Sequence, residues 1–217
     1  MKITKFTTGL LALAGMSGAQ AAIVLTEGFN DITTLAGSGW VRTNNSVPLG
    51  KDWFQGNSTV FASQSGAANA YIGNNFNSTS AISGLIDSWL ISPELALISG
   101  GTLNFYTRTA NAIFLDRLEV LFSAGGGTST GGFTTLLGVV GDAGPYPADW
   151  QAFSVTLPAA VSGRFALRYT VDDARNADYI GIDTVSVYAV PEPASYALVG
   201  VAFAALALSR RRASGSA

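Results

Sequence analysis

"RFALRYTV", residues 164–171, is the stretch whose reading decides the fold. Phe165, Leu167, Tyr169 and Val171 alternate with Arg164, Ala166, Arg168 and Thr170. This is the period of a strand with one face in a core and the other turned away from it. Working outward, "RLEVLFS" (117–123) sets Leu118, Val120 and Phe122 on one face, and "QAFSVTLP" (151–158) does the same with Phe153, Val155 and Leu157. Short runs of the same kind occur at "AIVLTEGF" (22–29), "SWLIS" (88–92), "TLNFYTR" (102–108) and "IDTVSVYA" (182–189), separated by Gly, Asn, Ser and Pro. No segment between residues 22 and 189 sustains a helical period. The pattern predicts an all-β domain over 22–189, an antiparallel β-sandwich of the jelly-roll type.

The two ends of the 217-residue chain follow other rules. Lys2 and Lys5, the apolar "GLLALAGM" and the small-x-small "AQA" at 19–21 make residues 1–21 a secretory signal peptide, with Ala22 as the mature N-terminus. The last stretch, "VPEPASYALVGVAFAALALSRRRASGSA" (190–217), has no charged residue between Ala194 and Leu208. As a helix that run spans about 22 Å, short against a hydrocarbon core of roughly 30 Å. Arg210, Arg211 and Arg212 can snorkel to headgroups and favour the cytoplasmic side. The expectation is a single transmembrane helix over 194–208 with a basic tail at 210–217, and a domain that lies outside the cytoplasm.

Composition narrows the chemistry. The chain has no histidine and no cysteine, which excludes a Ser-His-Asp triad, a Cys-His dyad and a zinc site of imidazole and thiolate. Setting aside Lys2, Lys5 and the three terminal arginines leaves seven basic residues against 14 acidic ones, a net of about −7. Such a surface repels phosphate backbones, so nucleic acid is excluded as a partner. The enzymatic alternative left open is a carboxylate-dependent glycoside hydrolase, with Asp172, Asp173 or Glu119 as its acids. No motif supports it, and the reading is that the chain is not an enzyme. "SAGGGTSTGGF" (123–133) lacks the Gly-Lys-Ser/Thr ending of a phosphate loop and reads as a flexible connection.

Val190, Pro191, Glu192 and Pro193, followed by the apolar segment and Arg210 to Arg212, resemble a PEP-CTERM sorting signal. That resemblance implies an exosortase-type processing enzyme in a Gram-negative bacterium. The chain would be held in the inner membrane by its C-terminal helix before processing, then released to the cell surface or extracellular matrix. Pro191 and Pro193 keep the motif extended and out of any sheet, where an enzyme can grip it. The body resembles the choice-of-anchor J domains, which are similar to cleaved-adhesin jelly rolls, through "TEGFND" (26–31), "GSGW" (37–40), "DSWLISPEL" (87–95), "LDRLEVLFS" (115–123) and "YIGIDTVSV" (179–187). It implies a surface or biofilm-matrix role, binding extracellular polysaccharide or another surface protein, and brings no catalytic residues.

Two candidate sites follow. Jelly-roll binding modules can hold a structural Ca²⁺ between their first and last strands, and by resemblance Glu27 and Asp183 are the matching carboxylates; the alternative is a pair of ordinary strand carboxylates. Trp53 in "KDWFQG" and Trp150 in "PADWQ" lie beside charged or turn residues and are the candidates for stacking on sugar rings, against the alternative of core packing.

Overall fold

The computed structural model describes residues 21–142 and 144–191. Most of the expected signal peptide, Glu192, Pro193, the expected helix and Arg210 to Arg212 lie outside the described residues. Twelve strands follow in chain order: β1 (Ala22–Glu27), β2 (Val41–Asn44), β3 (Phe54–Gln55), β4 (Ile72–Asn75), β5 (Ile86–Ile91), β6 (Leu95–Leu97), β7 (Gly101–Thr109), β8 (Leu118–Ala124), β9 (Thr135–Val140), β10 (Gln151–Leu157), β11 (Ala160–Val171) and β12 (Tyr179–Ala189). All pairings are antiparallel. One sheet runs β10-β7-β12-β4-β3, with β1 also on β12; the other runs β2-β5-β11-β8-β9, with β6 also on β11. The helices among the described residues are three-residue 3-10 turns, and none is long and apolar enough to cross a membrane.

The two sheets face each other across one core, and the alternation seen in the sequence sets which side chains enter it. Phe165, Leu167, Tyr169 and Val171 of β11 meet Leu118, Val120 and Phe122 of β8 there, while Phe153 and Val155 of β10 pack at its edge. On β12 the inward residues are Ile180 and Ile182, then Val185 and Val187. That change of parity comes from an irregularity between Asp183 and Ser186 in the pairing with β7, where Thr184 takes φ 51°. One extra residue in a strand moves every later side chain to the other face, so the bulge keeps both halves of β12 buried.

The outer faces are not left to solvent. Outside the β2-β5-β11-β8-β9 sheet, Trp89, Ile91, Leu121 and Ala166 pack with Phe133. The glycine-rich stretch expected to be a flexible connection therefore folds back: a 3-10 turn at Thr130–Gly132 brings Phe133 down beside Trp89, ring centroids 5.9 Å apart. Outside the other sheet, Phe61, Tyr71 and Tyr179 pack with Phe54 and Trp150 beneath the 56–70 segment. Glycines permit this close approach. A Cβ on Gly73 would lie 2.7 Å from the Tyr179 hydroxyl, and one on Gly181 2.8 Å from the Phe61 ring.

Candidate functional site

β12 ends at Ala189, where the Val190 amide donates to Gly100 O at 2.9 Å and Pro191 follows outside any strand. The other end of β12, Asp178 and Tyr179, lies about 30 Å away along the strand. At that far pole a cleft of 610 Å³ opens between Lys51, Phe54, Asn75, Phe76, Asn77 and Asp178. Pairing builds it from distant segments: Phe54 lies opposite Gly73, and Asn75 opposite Tyr179.

The floor of the cleft is fixed. Phe54 leans on Tyr179 with ring centroids 5.5 Å apart. The hydroxyls of Tyr71 and Tyr179 lie 3.2 Å apart, and both accept the Asn57 amide, at 2.9 and 3.0 Å. Burial pushes both phenols above their ordinary range, so they stay protonated. Gln55 is wholly spent: its amide nitrogen donates to Phe29 O, Asn69 O and Tyr71 O, and its oxygen accepts the Ile32 amide.

The walls are different in kind. Phe76 is 46% exposed. Asn75 uses its side-chain oxygen on the Asn77 amide at 2.9 Å, which leaves its NH₂ free among the described residues, while Lys51 Nζ and the Asn77 side chain have no partner there. The Asp178 carboxylate meets no side-chain donor among the described residues. Burial, then the charge of Asp116, push it upward, against a pull from the Tyr179 amide. Asp116 itself is buried and satisfied by Tyr169 Oη at 2.6 Å, Thr109 Oγ1 at 2.7 Å and the Asp178 amide at 2.9 Å.

The residues singled out from sequence fall elsewhere. Trp53 is 2% exposed and sits in the central core, with an indole N–H that finds no partner among the described residues. Its expected exposure is wrong by one residue of strand alternation, because Phe54 is the neighbour that turns outward. Trp150 is half-buried, edge-on to Phe61 at 5.5 Å and to Tyr71 at 5.6 Å, with Nε1 donating to Ala62 O at 2.8 Å. It seals the outer cluster and does not line the cleft.

Glu27 and Asp183 lie at the β1/β12 corner, Glu27 opposite Val185. Asp183 is fully buried. Its Oδ2 accepts the Gln64 amide at 2.9 Å and the Ser65 amide at 3.0 Å, and Oδ1 accepts the Thr184 amide at 2.6 Å. Burial raises its carboxyl and these amides partly offset the rise. Glu27 Oε1 accepts the Phe29 amide at 2.7 Å. Calcium takes six to eight oxygens, and no group of three or more Asp or Glu converges here or elsewhere among the described residues. In this arrangement Asp183 is compensated by amides and clasps the 56–70 segment onto its sheet; calcium would have to displace that clasp.

Two of the three acids of the hydrolase alternative are engaged elsewhere. Glu119 is paired with Arg117 at 3.0 Å and Arg168 at 3.0 Å. Asp173 caps the 3-10 turn at Ala174–Asn176 and binds Arg175, whose hydrogen bonds hold its carboxyl below the ordinary range. Asp173 is thus not placed to hold a proton for a leaving group at neutral pH. Asp172 is exposed.

Residues 189–212 match the model of the PEP-CTERM protein-sorting motif. No curated protein matches the sequence. The fold is similar to the K1 cleaved adhesin domain of Lys-gingipain from Porphyromonas gingivalis W83, with 24% identity over 76% of this chain and 98% of that one and a TM-score of 0.58. It is also similar to the K3 domain of the same protein, with 21% identity over 79% and 100% of the two chains and a TM-score of 0.57. The K2 domain gives 18% identity over 76% and 99%, and a TM-score of 0.58. The chain thus carries a PEP-CTERM sorting motif, which implies export, exosortase processing and sorting to the cell surface, behind an all-β sandwich that resembles cleaved adhesin domains.

Proposed function

We propose that this chain is a non-catalytic binding module of the cell surface or extracellular matrix of a Gram-negative bacterium, sorted there by an exosortase-type enzyme and attached to, or built into, polysaccharide or biofilm. One observation carries the reading: the sorting motif begins where β12 ends, at residue 189. A tether on Pro191 would attach at the end of β12 opposite the cleft at Asp178. Calcium enters the proposal only as a competitor of the amides for Asp183.

The test replaces Arg210, Arg211 and Arg212 by Ser and compares the mature mass of the protein from membrane, cell-surface and medium fractions. Loss of the basic cluster removes the orienting charge of the segment. Processing should fall and the protein should shift away from the surface fraction. An unchanged mass and distribution would sink the sorting part of the reading.

A further inference from the structure

The cleft at the far pole is shaped and equipped for a particular chemistry. Phe54 and the exposed Phe76 supply apolar faces that match the C–H side of a pyranose ring. Around them stand polar groups that no other side chain pairs among the described residues, the Lys51 ammonium, the Asn75 NH₂, the Asn77 side-chain amide and the Asp178 carboxylate. Donors and acceptors on one rim, with aromatic faces between them, are what a sugar presenting hydroxyls at its edge and C–H groups on its face requires.

The cleft is also longer than one sugar needs. Phe76, Asn77 and Asp178 line a second cavity of 500 Å³ that continues past Ile82, Phe114 and Arg175. Phe76, Asn77 and Asp178 are common to both linings, and a linear chain seated on them would reach into both cavities. Its charge is selective. Lys51 shares the lining with two carboxylates, Asp52 and Asp178, while Arg175 is spent on Asp173. A polyanion would place like charges beside Asp178, whose carboxylate is already partly desolvated.

We propose that the groove through Phe54, Phe76, Asn77 and Asp178 binds a pyranose oligosaccharide without acid groups, and that Asp178 favours an amino sugar over its neutral counterpart. This rests on the surface-module reading and assigns that module its ligand class and its site. Phe76 provides the stacking face, Lys51 and the two asparagines donate to ring hydroxyls, and Asp178 accepts from hydroxyl or ammonium.

Calorimetric titration of the full chain with three hexamers tests it: cellohexaose, the glucosamine hexamer and hexagalacturonate. The glucosamine hexamer should bind more tightly than cellohexaose, the uronate hexamer at least tenfold more weakly than either, and glucose itself not measurably. Phe76→Ala should weaken both bound hexamers tenfold or more. Asp178→Asn should retain cellohexaose within a fewfold and remove the preference for the amine. Asn77→Ala, on the surface, gives a second reading should Phe76→Ala melt early. Binding of none of the three hexamers, tighter binding of the uronate, or binding unmoved by Phe76→Ala and Asn77→Ala would overturn the assignment. Protease accessibility of the protein on intact cells is read in parallel. A surface-displayed chain that ignores all hexamers ends the groove proposal alone, whereas a chain absent from the surface ends the module reading whatever the calorimeter records.

Discussion

The two outer faces of the sandwich are covered by the same device and to different ends. On one, Arg168 lies 5.0 Å above the Trp89 ring; on the other, Arg108 lies 4.5 Å above the Phe61 ring. Around Trp89 the polar groups are spent on one another. Arg168 binds Asp87 at 2.6 Å and Glu119 at 3.0 Å, and Trp89 Nε1 donates to Asp87 at 2.7 Å. Around Phe61 the arginine finds two backbone carbonyls, Ala148 O and, at 3.5 Å, Thr109 O, and at 3.8 Å the exposed Asp149. The cluster runs on through Tyr179 and Phe54 into the groove, where Lys51, Asn77 and Asp178 stand unpaired by side chains among the described residues. Closed polar networks fix a fold, while polar groups left over beside exposed aromatic faces are free to recognise something else.

The comparison breaks most visibly if the closed cover is opened. Phe133 is the ring that the glycine-rich segment lays on Trp89, and it is 4% exposed. Phe133→Ala should cost about 3 kcal/mol, the lower end of what emptying a buried phenylalanine site costs. It should also move tryptophan emission to the red as Trp89 meets water. Hexamer affinity should not change, because the groove lies on the opposite sheet. A chemical-denaturation midpoint equal to wild type would show that the segment is the loose connection expected from its composition. Coupled loss of binding would show that the two covers are not independent.

Replacing the arginines sharpens the contrast. Arg168→Gln leaves Asp87 with Trp89 Nε1 alone and Glu119 with Arg117 alone, and should cost about 1–3 kcal/mol, below the range for a fully buried pair because all three groups retain some solvent. Arg108→Gln removes a contact with a ring face, two backbone carbonyls and a solvent-exposed Asp149, worth about 1 kcal/mol or less. Equal costs in thermal denaturation would mean that ionic closure does not distinguish the covers.

These covers mark the boundary of what the sequence makes legible. Alternation in 164–171 identifies Phe165, Leu167, Tyr169 and Val171 because a residue between two sheets has one choice of side. The alternation at 117–123 puts Glu119 and Leu121 on the far side and stops there. Whether a loop folds back over them depends on where residues 56–70 and 125–133 go, and those segments have no period. The polar neighbours of Trp53 and Trp150 point to exposure, yet strand parity buries the first and edge contacts engage the second. The groove is assembled from residues 51–57, 75–77 and 178, which become neighbours only through the register of β3, β4 and β12. A trace of it does exist in "GNNFN" (73–77), an aromatic residue between asparagines with no apolar period to explain it.

Asp183 provides the finest test, because the sequence and the structure assign it opposite electrostatics. A carboxyl raised above its ordinary value by burial contributes stability that is complete below about pH 3.9 and is lost as the pH rises through its folded value. Asp183→Asn removes that titration and leaves an amide among three N–H donors, at a cost of about 1 kcal/mol near neutrality. Since the variant shares every other ionisable group, the difference in stability between the two proteins reports Asp183 alone. That difference should widen as the pH is lowered from 7 toward 4.5, and to the same extent in chelator and in millimolar Ca²⁺. A carboxylate held by calcium obeys the reverse sign: the cation lowers its pKa, and the stability it brings is present at neutral pH and lost on acidification. Melting curves of wild type and Asp183→Asn in the two buffers decide between them. A difference that narrows on acidification in Ca²⁺ and not in chelator would place the ion on Glu27 and Asp183, and the amides of Gln64 and Ser65 would then have to be seated elsewhere in the calcium-bound protein.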